Sequence, residues 1–126
     1  MKVYGYCRIS TSRQSMERQI RNIKLAYPDA VIVKETYTGT KIQGRKEFEK
    51  LIKVVSSGDT LVFDSVSRMS RHAQEGYGMY EELYKRGVSL VFLKEPHINP
   101  SKYKKAMENQ LSENFKTGDQ ATKGLL

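Results

Sequence analysis

Ser10 stands two residues after Arg8 and four before Gln14, just beyond an apolar run, Val3-Tyr4-Gly5-Tyr6, that reads as a strand. A hydroxyl beside a guanidinium at a strand's carboxyl end suits an anionic substrate. Phosphate fits best, because the planar guanidinium fork meets two of its oxygens at once. Further along the chain come Arg45 and the pair Arg68 and Arg71. Guanidinium groups gathered in one place repel one another unless an anion lies among them. Around a phosphodiester they would stabilise the charge that grows on the non-bridging oxygens, and Ser10 would supply the nucleophile for covalent catalysis. Each residue also has a plainer reading. Ser10 could cap a helix, and Arg45 could simply begin a helix and pair with Glu49 four residues on. Arg68 and Arg71 could belong to a solvated loop, Gln14 and Gln19 to an exposed helix face, and His72 to a solvated helix start.

For these residues to act together, the elements carrying them must bring them to one edge. Lys2 to Cys7 reads as a strand. From Gln14 to Tyr27, Met16, Ile20, Ile23 and Tyr27 recur at spacings of four, three and four, one face of a helix. Ala30 to Tyr37 is rich in β-branched residues and predicts a second strand. Thr38 to Gly44 reads as a loop, and Arg45 to Ser56 as an amphipathic helix on Phe48, Leu51, Ile52 and Val55. Thr60 to Phe63 predicts a third, buried strand that ends at Asp64. The polar, basic stretch Ser65 to His72 reads as a loop, Ala73 to Lys85 as a helix, Val88 to Leu93 as a fourth strand, and a last helix begins near Ser101. Alternating strands and helices predict an α/β fold of three layers, α/β/α. Its central sheet is largely parallel with four to five strands, and a C-terminal helix follows. In such sheets ligands gather at the carboxyl ends of the strands, where the segments Arg8 to Gln14, Thr38 to Arg45 and Ser65 to His72 would meet.

Composition narrows the partner. A chain of 126 residues is one domain by length, and 38% hydrophobic content with clear periodicity argues against disorder. The single cysteine, Cys7, excludes an internal disulfide framework and a cysteine-based zinc site. No apolar run reaches the length of a membrane span, and Arg8, Arg13 and Arg18 interrupt anything like a signal peptide. A cytoplasmic protein is the simplest expectation. The net charge of +8 favours a polyanion, of which nucleic acid is the commonest. The excess is largest in residues 1–40, with seven Lys and Arg against three Asp and Glu.

Three stretches in order resemble the catalytic domain of the serine recombinases, the resolvase/invertase family. They are Tyr6, Arg8, Ile9, Ser10, Thr11 and Gln14; then Thr38-Gly39 followed by Arg45-Lys46-Glu47-Phe48; then Gly58-Asp59-Thr60-Leu61 with Ser67-Arg68-Met69-Ser70-Arg71. The resemblance implies that Ser10 attacks a phosphodiester of double-stranded DNA, forming a 5′-phosphoserine link and releasing a 3′ hydroxyl. Arg8, Arg68 and Arg71 would hold the scissile phosphate with help from Arg45. Tyr6 and Gln14 would orient their neighbours, and Glu35 would fill an acidic position near the site. It further implies no metal, no cofactor and no membrane, and a homodimer that pairs into a synaptic tetramer. Residues 1–100 would form the catalytic domain and 101–126 the start of the dimerisation helix, with Met107, Leu111 and Phe115 as a partner face. The DNA-binding domain that the family adds after that helix is not in this sequence.

The chain departs from the family at Ser67, where an acid usually precedes the first arginine of the third motif. Asp64, Asp59 or Glu35 would have to take its place. Two other readings stand beside the recombinase: a non-catalytic oligomerisation or nucleic-acid-binding module on the same fold, and a flavodoxin-like phosphate-handling domain. The second would need an acidic metal pocket where the loops offer arginines instead.

Overall fold

The computed structural model describes residues 1–9, 16–36, 44–98 and 102–103. Its elements alternate as predicted. Strands β1 (Val3–Ile9), β2 (Val31–Thr36), β3 (Thr60–Phe63) and β4 (Ser89–Phe92) are joined through helices α1 (Met16–Ala26), α2 (Lys46–Val54), α3 (Val66–Met69) and α4 (Ala73–Lys85). The strands form one sheet in the order β2-β1-β3-β4, and every pairing is parallel. The predicted β3 and α4 have the observed bounds; β2 begins one residue later than expected, and α2 and β4 are shorter at both ends. Of the last predicted helix, Lys102 and Tyr103 are described and helical, whereas Met107, Leu111 and Phe115 lie outside the described residues.

Alternation along the strands divides the apolar side chains between two faces. Tyr6, Leu61, Phe63 and Phe92 point to the side covered by α2 and α4, where they pack with Phe48, Leu51, Tyr80, Leu83 and Tyr103. Cys7 and Val62 point the other way, to Ile23, Met16 and Ile20 of α1. This is the three-layer arrangement expected of a parallel sheet buried on both faces. Gly5 lets α1 approach β1 closely: a Cβ there would stand 2.7 Å from Ile23 Cγ2.

The segment Ser65 to His72, expected as a loop, contains the short helix α3. Val66 and Met69 are three residues apart and both fully buried, so one apolar pair docks the turn. Four residues are too few for periodicity to reveal.

Candidate active site

β1 carries the centre of the site. Beyond Tyr6, which is paired with Phe63, β1 continues without β3 while β2 accompanies it as far as Ile9 opposite Thr36. The backbone of Arg8 is met there by a side chain of α1. The Arg8 N–H donates to Gln19 Oε1 at 3.0 Å, and Gln19 Nε2 donates to the Arg8 carbonyl at 2.8 Å. Gln19, for which an exposed helix face was the plainer reading, is buried. Its spacing of three from Met16 and four from Ile23 puts it on the stripe that faces the sheet, and only its polarity hid that.

The Arg8 side chain is buried and reaches α3. Its Nη2 donates to the Ser67 carbonyl at 2.8 Å and its Nε to the Arg68 carbonyl at 3.3 Å. Arg45, the residue before α2, is likewise fully buried, and its Nη1 donates to the Met69 carbonyl. Two guanidiniums therefore grip the last turn of α3, where carbonyls lack helical partners and the helix dipole favours cations. Arg8 Nη1 is buried with no hydrogen-bond partner among the described residues. Burial first, then the charges of Arg45, Arg71 and Arg68, lower the Arg8 guanidinium to about 10. Arg8 thus lies in the field of the other three arginines. Arg68 Nη1 donates to the Arg8 carbonyl at 3.2 Å. Burial lowers the Arg68 guanidinium as well, with Asp64 opposing the shift and Arg71 and Arg18 adding to it.

Glu35 organises the other side. It lies opposite Arg8 in the β1–β2 register. Its Oε1 accepts the Tyr6 hydroxyl and the Phe48 N–H, each at 3.0 Å, and its Oε2 accepts the Glu47 N–H at 3.2 Å. A carboxylate from β2 therefore caps the start of α2 and so fixes Arg45, the residue before it. Burial, then the Glu35 charge, raises the Tyr6 phenol above its ordinary value, which keeps it a donor.

The remaining predicted residues divide. Ser10, Gln14 and the Thr38-Gly39 loop lie outside the described residues. Arg71 is half-buried just past α3. Next to it, Ser70 Oγ donates to the His72 carbonyl at 2.9 Å and accepts the His72 N–H at 3.0 Å. Asp59 does not join the site. It stands before β3, at the opposite edge of the sheet, where it accepts the N–H groups of Lys2 and Ser56 at 3.0 Å each. Its carboxylate serves the turn that feeds β3, and these backbone bonds hold its pKa down. Asp64, at the other end of β3, is buried; its Oδ1 accepts Asn22 Nδ2 at 3.0 Å and its Oδ2 lies 3.4 Å from Lys94 Nζ. A groove of about 470 Å³ lined by Asn22, Leu25, Ala26, Asp64, Leu93 and Lys94 opens beside it, away from the other site residues. No helix among the described residues is long and apolar enough to cross a membrane.

Known proteins resemble this chain in sequence and in fold. The resolvase N-terminal domain model matches residues 3–116. Transposon Tn21 resolvase of Escherichia coli is 33% identical over 93 residues, 72% of this chain and 46% of that protein. Transposon Tn552 resolvase of Staphylococcus aureus is 34% identical over 95 residues, 75% and 47% of the two chains. The chain thus spans about half the length of these relatives. Among solved structures, a resolvase family site-specific recombinase from Streptococcus pneumoniae superposes with a TM-score of 0.61 at 26% identity, covering 99% of this chain and 95% of that one. The N-terminal catalytic domain of TP901-1 integrase gives 0.63 at 16% identity, covering 91% and 98%. The match along the sequence and the shared fold together mean that the chain belongs to the resolvase family of serine recombinases, of which it carries the N-terminal domain.

Proposed function

We propose that this chain is the catalytic domain of a site-specific DNA recombinase that cuts and rejoins double-stranded DNA through Ser10. Ser10 Oγ attacks the scissile phosphorus, the 3′ oxygen leaves and takes up a proton, and the 5′ end stays esterified to the serine. Attack by a 3′ hydroxyl on that ester reverses the step and reseals the strand. The diester energy is conserved, so no cofactor is needed.

The observation that supports this reading is the buried guanidinium of Arg8, two residues before Ser10 in the sequence. It has a free Nη1 and three more arginines in its field, but its hydrogen bonds among the described residues go to neutral carbonyls. Like charges gathered this way are preorganised for an anion. Arg8, Arg68 and Arg71 then hold the phosphate. Arg45 acts from the start of α2, and Tyr6 and Glu35 hold Arg45 in place. Residues 1–100 act as the catalytic unit and 101–126 begin a dimerisation helix. The protein works as a homodimer that pairs into a synaptic tetramer, in the cytoplasm where the DNA is.

The test is a covalent adduct. The chain, fused to a sequence-specific DNA-binding domain, is incubated with a nicked suicide substrate. Wild type is expected to form a protein–DNA adduct that Ser10→Ala does not. Equal absence of adduct from both proteins sinks the proposal.

A further inference from the structure

We infer that Glu95 is a positioning residue for Arg68: its carboxylate holds the start of α3 and so sets where the guanidinium carried by that helix stands. The inference rests on the reading of Arg68 as a phosphate ligand. α3 is too short to hold itself. Four residues span barely one turn, too few to close the run of backbone bonds that steadies a longer helix. Its place therefore depends on groups from outside. At the last turn these are Arg8 and Arg45, on the carbonyls of Ser67, Arg68 and Met69. At the first turn it is Glu95, whose Oε1 accepts the Val66 N–H at 2.9 Å.

Ser65 occupies the position before the helix where a hydroxyl usually caps, but it makes no such bond; its Oγ lies 3.0 Å from Ser67 Oγ instead. Val66 is fully buried, so its N–H has no water to turn to and would be costly to leave unmet. Glu95 meets it from a fixed post. The N–H groups of Leu93 and Lys94 donate to the Phe63 and Asp64 carbonyls at 2.9 and 3.0 Å, which carries the β3–β4 pairing past both strand ends. The next residue, Glu95, thereby arrives beside the start of α3. Its own N–H donates to the Phe92 carbonyl at 3.0 Å, and its carbonyl accepts the Ile98 N–H at 3.2 Å. Gripped at its last turn alone, α3 could pivot about the two arginines; the bond to Glu95 removes that freedom. Arg68, two residues after Val66, then keeps its Nη1 on the Arg8 carbonyl at 3.2 Å. Glu95 belongs to none of the three motifs, and it reaches the site from the end of β4.

With the fused chain and saturating suicide substrate, folded Glu95→Ala is expected to form adduct about tenfold to a hundredfold more slowly than wild type, the scale of a catalytic group moved by about an ångström. Glu95→Gln keeps an oxygen for the Val66 N–H and is expected to recover most of that loss. Thermal unfolding sets a temperature at which all three proteins are folded. A wild-type rate in Glu95→Ala overturns the inference, and so does a Glu95→Gln protein as slow as Glu95→Ala. A second measurement needs no DNA. In nitrogen-15 NMR the Val66 amide is expected to exchange with water fast in Glu95→Ala and slowly in wild type and Glu95→Gln, and the Arg68 Nε–H signal to shift in Glu95→Ala alone. An Arg68 signal at its wild-type position in Glu95→Ala also overturns the inference. Should wild type form no adduct, the recombinase reading fails, and the Arg68 signal still decides whether Glu95 positions that side chain.

Discussion

The Tyr6 hydroxyl donates to Glu35 Oε1 at 3.0 Å, and that oxygen also accepts the first-turn N–H of Phe48. One buried carboxylate therefore joins β1, β2 and α2. Glu35→Ala strands the phenol and two helix-end amides at once. Loss of charge-assisted bonds at a helix start is expected to cost about 2–4 kcal/mol, read by urea unfolding. Tyr6→Phe removes one bond and is expected to cost about 1 kcal/mol. If Glu35→Ala proves no worse than Tyr6→Phe, the carboxylate does not cap α2.

Gln19→Ala leaves the N–H of Arg8 without its partner and removes one donor to the Arg8 carbonyl. A buried unmet amide costs about 1–3 kcal/mol, and Gln19→Met, which fills the space without polar atoms, should recover little of it. Hydrogen exchange at the Arg8 amide is the direct probe, expected to be slow in wild type and fast in both variants.

The arginine cluster is expected to bind small anions even without DNA. Phosphate or sulfate at about a hundred times its dissociation constant should add about 2.7 kcal/mol of stability, visible as a rise in Tm. Arg68→Ala should remove most of that gain. A Tm that ignores these anions, or rises equally in Arg68→Ala, argues against a preformed phosphate site.

Alkaline pH should expose the buried phenols. Burial raises Tyr6, Tyr80 and Tyr103 above the ordinary tyrosine value of 10.0. Below about pH 10 they are protonated in folded and unfolded chains alike, and their contribution to stability is fully present. Above it the unfolded chain releases protons that the folded one retains, so stability falls as pH rises. Tyr6 and Tyr103 should contribute tyrosinate absorbance only as the protein unfolds, in a separate, later step. A single step with no loss of structure would contradict their burial.

Gly76 lies against Tyr103, and a Cβ there would collide with the Tyr103 hydroxyl and stand 3.0 Å from Ser70 Cβ. Alanine normally favours a helix by about 1 kcal/mol over glycine. Here overpacking reverses the sign, and Gly76→Ala should destabilise by about 1–3 kcal/mol. Tyr103→Phe in the same chain should relieve part of it.

Much of this arrangement was legible in the residues. Apolar spacing marked α1, α2 and α4, and β-branched runs marked the strands, because those elements are held by broad apolar faces. What escaped was held by polar groups from far along the chain. α3 is gripped by Arg8 and Arg45 and accepts a cap from Glu95, whose Oε1 takes the Val66 N–H at 2.9 Å; no local pattern announces such partners. Gln19 looked exposed because glutamine usually is, and its match to an unpaired strand end depends on where β3 stops. Asp59 was drawn toward the site by its motif, yet its place before β3 puts it a strand's length away.

The difference in length between β1 and β3 works as a spacer. β3 ends opposite Tyr6, and the notch this leaves admits one amide side chain, that of Gln19, and the tip of Arg68. A β3 longer by two residues would zip onto Arg8, evict Gln19 and close the route by which Arg68 reaches the Arg8 carbonyl. How far the sheet is left unfinished therefore sets how closely two arginines, sixty residues apart in sequence, can stand.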